Sequence, residues 1–335
     1  MLRTFAQAAG VEGGKTVAFL TVEDDRDGGG MAISIRNITN MFVLDSDNDI
    51  TANGRCVYDA AAEVLFATRE LGGGSRVYAI DCADPSNMVQ LGFIDIAEAG
   101  LRELALDEVN SVVYLPSNDD FFSVDVSDPT NMALLDTLTD SVNLNNTAGV
   151  ALNPARTRAY VISRGTTSVV TVDISDPSNL SILGSYTDAN LSDANEFVID
   201  QSTEVGYVSA TVVTALDCSG VTASLLSSVT LSYDPDDITL APDQGVIYLS
   251  SRSEDSVVAI DVSNPSSISV ISTLVDPVNL NSANRLEVDD ARRTLFVVAQ
   301  SARALVSVDV KDPSSMAVLD TQSTRAVAMF DVALA

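Results

Sequence analysis

A single turn recurs along this 335-residue chain, and its spacing constrains the fold more than any other feature. Its clearest copies are Asp125-Val126-Ser127-Asp128-Pro129-Thr130-Asn131 and Asp173-Ile174-Ser175-Asp176-Pro177-Ser178-Asn179, with related copies opening at Asp81, Asp261 and Asp309. Worn copies at Ser34 and Asp217 complete the series, so that successive markers stand at 34, 81, 125, 173, 217, 261 and 309. A near-constant period of this size is the mark of a repeat architecture. Seven units in 335 residues give about 48 residues each, the size of a four-stranded propeller blade.

Within each unit the apolar residues fall in short β-branched or aliphatic runs, too short for helices and separated by turn residues. In the third unit these runs predict strands at Leu101–Asp107, Ser111–Pro116, Phe121–Val126 and Met132–Leu138. The recurring turn lies between the third and fourth strands, where Asp125 and Asp128 accept backbone N–H groups and Pro129 fixes φ. The Asp residues therefore repeat because the turn repeats. Residues 16–22, Met31–Ser34 and Phe42–Leu44 match second, third and fourth strands, which leaves the first unit without an innermost strand. Arg325-Ala326-Val327-Ala328-Met329-Phe330-Asp331 aligns with the innermost strand at Asn284–Asp289 and supplies the missing one. The expected fold is all-β, a seven-bladed β-propeller with four antiparallel strands per blade and the first blade closed by the C-terminal strand. One domain spans 1–335: blade 1 from 15–47 plus 325–332, then 54–95, 101–139, 148–187, 195–232, 236–275 and 284–322. Closure removes the two sheet edges that would otherwise invite aggregation.

The Asp-x-Ser-Asp-Pro-Ser-Asn turn behind an apolar strand, as in Val169-Val170-Thr171-Val172-Asp173, resembles the LVIVD-repeat family of β-propellers. The resemblance covers nearly the whole chain, clearly in five repeats and faintly at those marked by Ser34 and Asp217. It implies a fold and no shared catalytic set, so it assigns no site residues. It also implies export or surface association, from which Met1-Leu2-Arg3-Thr4-Phe5-Ala6-Gln7 departs by lacking the apolar stretch of a secretory signal. A virion or extracellular assembly is slightly favoured over a cytoplasmic location. No apolar run approaches the roughly 18 residues that cross a membrane.

The chain has no histidine, which excludes a Ser-His-Asp triad, a histidine metal site and imidazole acid–base chemistry. Its three cysteines have no CxxC spacing, and Cys82 and Cys218 share a repeat position in different blades, so unpaired, partly buried thiols are expected. With 47 acidic residues against 18 basic, the surface repels nucleic acid and anionic membranes.

Carboxylate chemistry survives these exclusions. Asp45-Ser46-Asp47-Asn48-Asp49 resembles the opening of a calcium loop, making Asp45, Asp47 and Asp49 weak metal candidates, but Ile50 replaces the turn glycine and Cys56 the bidentate acid. No other cofactor is expected. Asn195, Glu196, Asn284 and Glu287 are candidates to line a calcium-dependent, lactonase-like hydrolase site in the central channel.

The arginines are more informative. Arg55, Arg102, Arg285 and Arg325 are placed at the starts of innermost strands, and Arg26, Arg69, Arg164, Arg252 and Arg303 in second-to-third strand loops on the same face. Arginine's planar fork suits carboxylates and phosphates. Two readings stand: a rim of mutually neutralised ion pairs, or a site for an acidic partner centred on Arg55, Arg102, Arg285, Arg325, Arg69 and Arg303. Asn143 and Asn279, in the echoing loops Asp140–Asn145 and Asp276–Asn281, could add donors and acceptors suited to glycans or peptide backbone, but the ordinary turn role is the favoured reading. The leading functional expectation is a non-catalytic binding or assembly module, a structural part of a virion or tail or an adhesion component; the channel hydrolase is the alternative.

Overall fold

The structure is a computed structural model that describes residues 17–23, 29–34, 36, 40–47, 54–98, 100–323 and 328–335. Among the described residues it is all-β, with one 3₁₀ turn at Ala189–Leu191, and its sheets are four-stranded antiparallel propeller blades. Blade 2 runs Cys56–Asp59, Val64–Leu71, Gly74–Asp81 and Val89–Ile96, from the innermost strand outward. Blades 3 to 7 repeat this meander, their innermost strands being Ala105–Asp107, Thr147–Leu152, Phe197–Asp200, Asp237–Ala241 and Ala283–Asp289. These six blades are described in full. A further sheet, described in part, places Ala328–Leu334 beside Val17–Glu23, followed by Gly29–Ser34 and Phe42–Asp47. There Phe19 pairs with Ala333, and Val22 with Met329.

The blades pack face to face, which is why their middle strands are nearly continuous apolar runs. Val112–Ser117 and Val246–Ser251 are buried at every position, whereas the outermost strands, such as Ala133–Thr139, are largely exposed. Each core is shared between neighbours. Phe66 and Val77 of blade 2 cluster with Leu106 and Val113 of blade 3. The terminal sheet packs on both sides: Leu20 and Val332 meet Phe296 and Val298 of blade 7, while Phe19 and Ala333 meet Leu65 and Tyr78 of blade 2.

The recurring turn has the hydrogen bonds its sequence implies. Asp125 Oδ1 accepts from the Ser127 amide at 2.9 Å, and Asp128 Oδ1 accepts from the Thr130 amide at 3.0 Å and its hydroxyl at 2.6 Å. It also docks blade to blade. In every sheet the pairing of the third and fourth strands slips by one residue, a β-bulge that turns the next residue toward the neighbouring blade. Ser227 Oγ donates to Pro265 O at 2.6 Å and Ser272 Oγ to Pro313 O at 2.5 Å, each reaching the next blade's turn. Asp136 Oδ2 accepts from the Leu180 amide at 2.7 Å, and Asp320 Oδ2 from the Met41 amide at 2.6 Å. In blade 2 the position is Gly92, where a Cβ would lie 2.6 Å from Pro129 O. One repeat position thus explains why the turn is kept.

One strand expectation shifts. The innermost strand of blade 3 shortens to Ala105–Asp107, with an isolated bridge from Leu101 to Ser117. Between them the Leu104 amide donates to Glu103's own carboxylate at 3.0 Å, a local bond that replaces the ladder. The C-terminal strand is described over Ala328–Leu334, and its expected start near 325 lies outside the described residues.

Candidate functional site

The innermost strands set a frame at the channel. Arg55, Glu103, Gly149, Glu196 and Arg285 each precede, by four residues, the Asp or Asn that caps the following hairpin: Asp59, Asp107, Asn153, Asp200 and Asp289. Asp237 and Asp331 occupy the same point, although Ala241 and Ala335 replace the capping residue. Both carboxylates reach a following innermost strand: Asp331 Oδ2 accepts from the Cys56 amide at 2.8 Å, and Asp237 Oδ2 from the Leu286 amide at 2.9 Å. Seven equivalent positions therefore converge, and side chains from most of them meet in a cavity of about 170 Å³ lined by Arg55, Glu103, Glu196, Asp237, Glu287 and Asp331.

Arg55 is the centre of this cluster. Its Nη2 donates to Glu196 Oε1 and its Nε to Arg102 O at 2.8 Å, and Nε lies 3.6 Å from Glu103 Oε2. Arg285 Nη2 is 3.9 Å from the same Glu196 oxygen, while its Nη1 donates to Asp236 O and Asn284 O, each at 3.0 Å. Burial opposes the charge on Arg55, but Glu196, Glu103, Asp331 and Asp237 outweigh it and hold the guanidinium protonated. The carboxylates carry the cost. Burial pushes Glu196 and Asp237 well above the usual carboxylate range, and pushes Asp331 up to about 7, with Arg55 opposing each rise. These groups titrate together. Arg55 opposes the rise at Glu196, Asp237 and Asp331, but burial still favours their protonated forms. Such a cluster can bind a hydrogen-bonding group or shuttle a proton. Cys56 faces it with its thiol pushed well up by burial and by Asp331, which makes it a poor nucleophile.

The other candidate residues fall elsewhere. Arg102 is exposed beside the cluster, with Glu103 rather than Arg102 at the channel position. Arg69 is half-buried, paired in register with Arg76, and Arg303 is exposed with φ 52°. Arg26 and Arg325 lie outside the described residues. The alignment of Arg325 with the innermost strand start is six residues early, and Asp331 holds that place because the strand runs Ala328–Leu334. Arg252 donates to Asp236 Oδ1 at 2.6 Å, and Arg164 donates to Ala194 O at 2.6 Å and to Asn195 Oδ1.

Asn143 and Asn279 take the turn role. Asn143 Nδ2 donates to Asp140 Oδ2 at 2.8 Å and Asn279 Nδ2 to Asp276 Oδ2 at 2.7 Å, while Thr321 donates to Asn279 Oδ1. The two loops are one rigid turn built twice over a fully buried Leu144 or Leu280. Of the weak calcium-loop candidates Asp45, Asp47 and Asp49, two fall in a described strand. Asp45 and Asp47 pair with Ala32 and Gly30 in the outermost strand Phe42–Asp47, and Asp45 holds the bulge position of Asp136 and Asp320. Asp49 lies outside the described residues. Among the described residues, no group of three or more acids and cysteines is arranged to hold a metal. Cys56, Cys82 and Cys218 are unpaired and buried.

Asp331, Asp237 and Glu103 escaped the sequence reading because arginine was followed instead of the channel register. Asp107, the cap four residues downstream, was the available signal for Glu103, whereas Ala241 and Ala335 left none for Asp237 and Asp331.

No curated protein matches the chain by sequence. Many solved structures share the fold. A Lactobacillus plantarum protein has a TM-score of 0.81 at 14% identity, covering 96% of this chain and 99% of that one. The Pseudomonas aeruginosa periplasmic gluconolactonase has a TM-score of 0.79 at 12% identity, covering 95% and 99%. Chaetomium thermophilum Sqt1, bound to the N-terminus of a ribosomal protein, has a TM-score of 0.62 at 13% identity, covering 92% and 88%. At these identities the likeness is one of fold, and it spans both enzymes and binding proteins. The LVIVD repeat model matches residues 113–140 and 159–188, the second strand through the outermost strand of blades 3 and 4. The chain is a β-propeller that carries LVIVD repeats.

Proposed function

We propose that this chain is a non-catalytic binding or assembly propeller of seven blades, its first blade completed by the C-terminal strand, acting as a structural or adhesion component of a larger particle such as a virion or a cell surface. The pairing of Phe19 with Ala333 and the packing of the terminal sheet against blades 2 and 7 support the ring. The functional reading rests on one observation: the ionisable groups at the channel are engaged with each other. Arg55 binds Glu196 and the Arg102 carbonyl, Arg285 approaches Glu196, and Asp331 and Asp237 hold backbone amides of following strands. A network that joins blades in this way stabilises a scaffold and leaves recognition to the faces. The expected partner is a protein or an acidic or glycan ligand at the arginine-bearing face, with no nucleic acid and no membrane insertion. Isolation from the native source followed by mass measurement tests this reading. A complex larger than one chain supports it, and a monomer that turns over substrate overturns it.

The protonated carboxylates around Asp331 favour a second reading, a carboxylate-dependent hydrolase of lactonase type. Glucono-δ-lactone and its 6-phosphate are the substrates to assay. Hydrolysis abolished by Glu196→Gln would establish the enzyme, whereas rates equal to buffer would favour the binding module.

A further inference from the structure

The junctions between blades repeat one geometry, so a side chain that fills one junction shows what an equivalent junction can hold. Between blades 4 and 5, Arg158 lies against the recurring turn. Its Nη1 donates to Gly220 O and, at 3.3 Å, to Ser219 O, and its Nη2 donates to Glu204 Oε2 at 3.1 Å. The guanidinium carbon lies 6.0 Å from the centre of the Tyr160 ring, and the Tyr160 hydroxyl donates to Cys218 O. The segment Cys218–Gly220 thus receives an arginine and a tyrosine from the preceding blade.

Between blades 3 and 4 a valine replaces the arginine. Val112 pairs with Asp125 as Arg158 pairs with Asp173, so the two share a register position, and Tyr114 corresponds to Tyr160. Here a groove of about 410 Å³ opens, lined by Val112, Asp125 and Leu135 of blade 3 and by Ser175, Asp176 and Ser178 of blade 4. Ser175 and Asp176 stand where Ser219 and Gly220 receive Arg158. Tyr114 is fully buried and clusters with Ile174, the counterpart of Cys218, yet among the described residues its hydroxyl has no hydrogen-bond partner. A buried hydroxyl without a partner is costly, and a polar guest beside it is favoured. Arg156 of blade 4 turns toward Asp107 Oδ1 at 4.0 Å and does not line the groove.

We propose that this groove is a docking pocket for an arginine side chain of a partner protein. Val112 and Leu135 offer apolar wall to a methylene stem, and Asp125 and Asp176 offer charge to its head. Each acid already holds its own turn through Oδ1, Asp125 from the Ser127 amide at 2.9 Å and Asp176 from the Ser178 amide at 3.0 Å, so the pocket is rigid before a guest arrives. The Ser178 hydroxyl and amide keep Asp176 below the usual carboxylate range and therefore ionised at neutral pH. A planar fork that spans turn carbonyls and a carboxylate, as Arg158 does, suits the pocket better than a lysine ammonium. The net charge of −29 draws a basic segment toward it. The pocket lies among the third-to-fourth strand turns, on the side opposite the arginine-bearing loops. It goes beyond the recognition proposed for that face and does not depend on it.

The test is an NMR titration of the ¹⁵N-labelled full chain at constant ionic strength with the acetylated, amidated tripeptide Gly-Arg-Gly. The matching Gly-Gln-Gly peptide and calcium chloride are titrated alongside. Saturable shifts of the Ser175 and Ser178 amides are expected with the arginine peptide and not with the glutamine peptide. Asp176→Asn keeps the turn, because Asn264 holds the same place in blade 6 and accepts from the Ser266 amide at 3.2 Å. This variant should weaken binding about threefold, the scale of an exposed ion pair. Asp312→Asn, the same change in blade 7, should leave binding unchanged. An arginine peptide that gives no saturable shifts, a glutamine peptide that binds equally, or equal weakening by both variants overturns the pocket. Saturation of the same amides by calcium but not by the arginine peptide overturns it too. Each readout is local to the groove, so its failure is distinct from failure to find a native complex.

Discussion

Replacing Asp331 by asparagine should make the protein more stable at pH 8 and leave it nearly unchanged at pH 4. Burial, reinforced by Glu103 and opposed by Arg55, raises this carboxyl from an ordinary 3.8 to about 7. A folded-state value above the unfolded one means that the native protein binds more protons than the unfolded chain between about pH 4 and 7. Stability from this group is therefore greatest at acid pH, falls as pH rises through that window, and levels off above it. A rise from 3.8 to about 7, at ~1.4 kcal/mol per pH unit, corresponds to about 4 kcal/mol of instability at pH 8. Asparagine keeps an oxygen to accept the Cys56 amide and never ionises, so the variant escapes this term. Asp237 shifts in the same direction, in part through Asp331, so losing the Asp331 charge also eases ionisation of Asp237, which adds to the gain at pH 8. Urea denaturation of both proteins at pH 4, 6 and 8 reads the difference directly, because the repulsion of a −29 surface is common to both. A variant less stable than wild type at pH 8, or a difference that does not change with pH, would refute the placement of a protonated acid in the channel.

Gly149→Ala should destabilise the fold by about 1–3 kcal/mol, because a Cβ there meets Glu196 Cα and Phe197 N at 2.8 Å, both backbone atoms. Gly72→Ala has nothing within 4 Å and should fall within ~0.5 kcal/mol of wild type in the same thermal melts. Asp320→Ala removes the acceptor of the Met41 amide and should cost about 1–3 kcal/mol, with faster hydrogen exchange confined first to the Met41 peptide. Calcium and EDTA should leave the melting temperature unchanged, given the strand pairing of Asp45 and Asp47. A rise with calcium alone would restore the metal reading.

The period and the turn were legible because their physics is local. An Asp that accepts from the amide two residues on, followed by proline, reads the same in every blade. The blade order follows from the repeat. The channel was harder to read because its side chains are local to nothing: Arg55 and Glu196 are 141 residues apart and meet only because each occupies the same point of its own innermost strand. Arginine also misled. Arg102 and Glu103 are adjacent in sequence, yet only Glu103 lines the cavity, and a one-residue difference in register separates a channel group from a surface one.

The distribution of acid over this molecule also bears on what it can recognise. In the recurring turns, Asp84, Asp128, Asp176 and Asp312 are held below the usual carboxylate range by the serine or threonine two residues on, so they stay ionised. In the channel, burial holds Glu196, Asp237 and Asp331 toward neutrality. The carboxyl group is thus ionised in the turns, where hydroxyl and amide donors stabilise its charge, and held toward neutrality in the channel, where burial opposes it. The turns give the propeller a negative rim at any pH above the carboxylate range, while the channel can gain negative charge as pH rises toward 8.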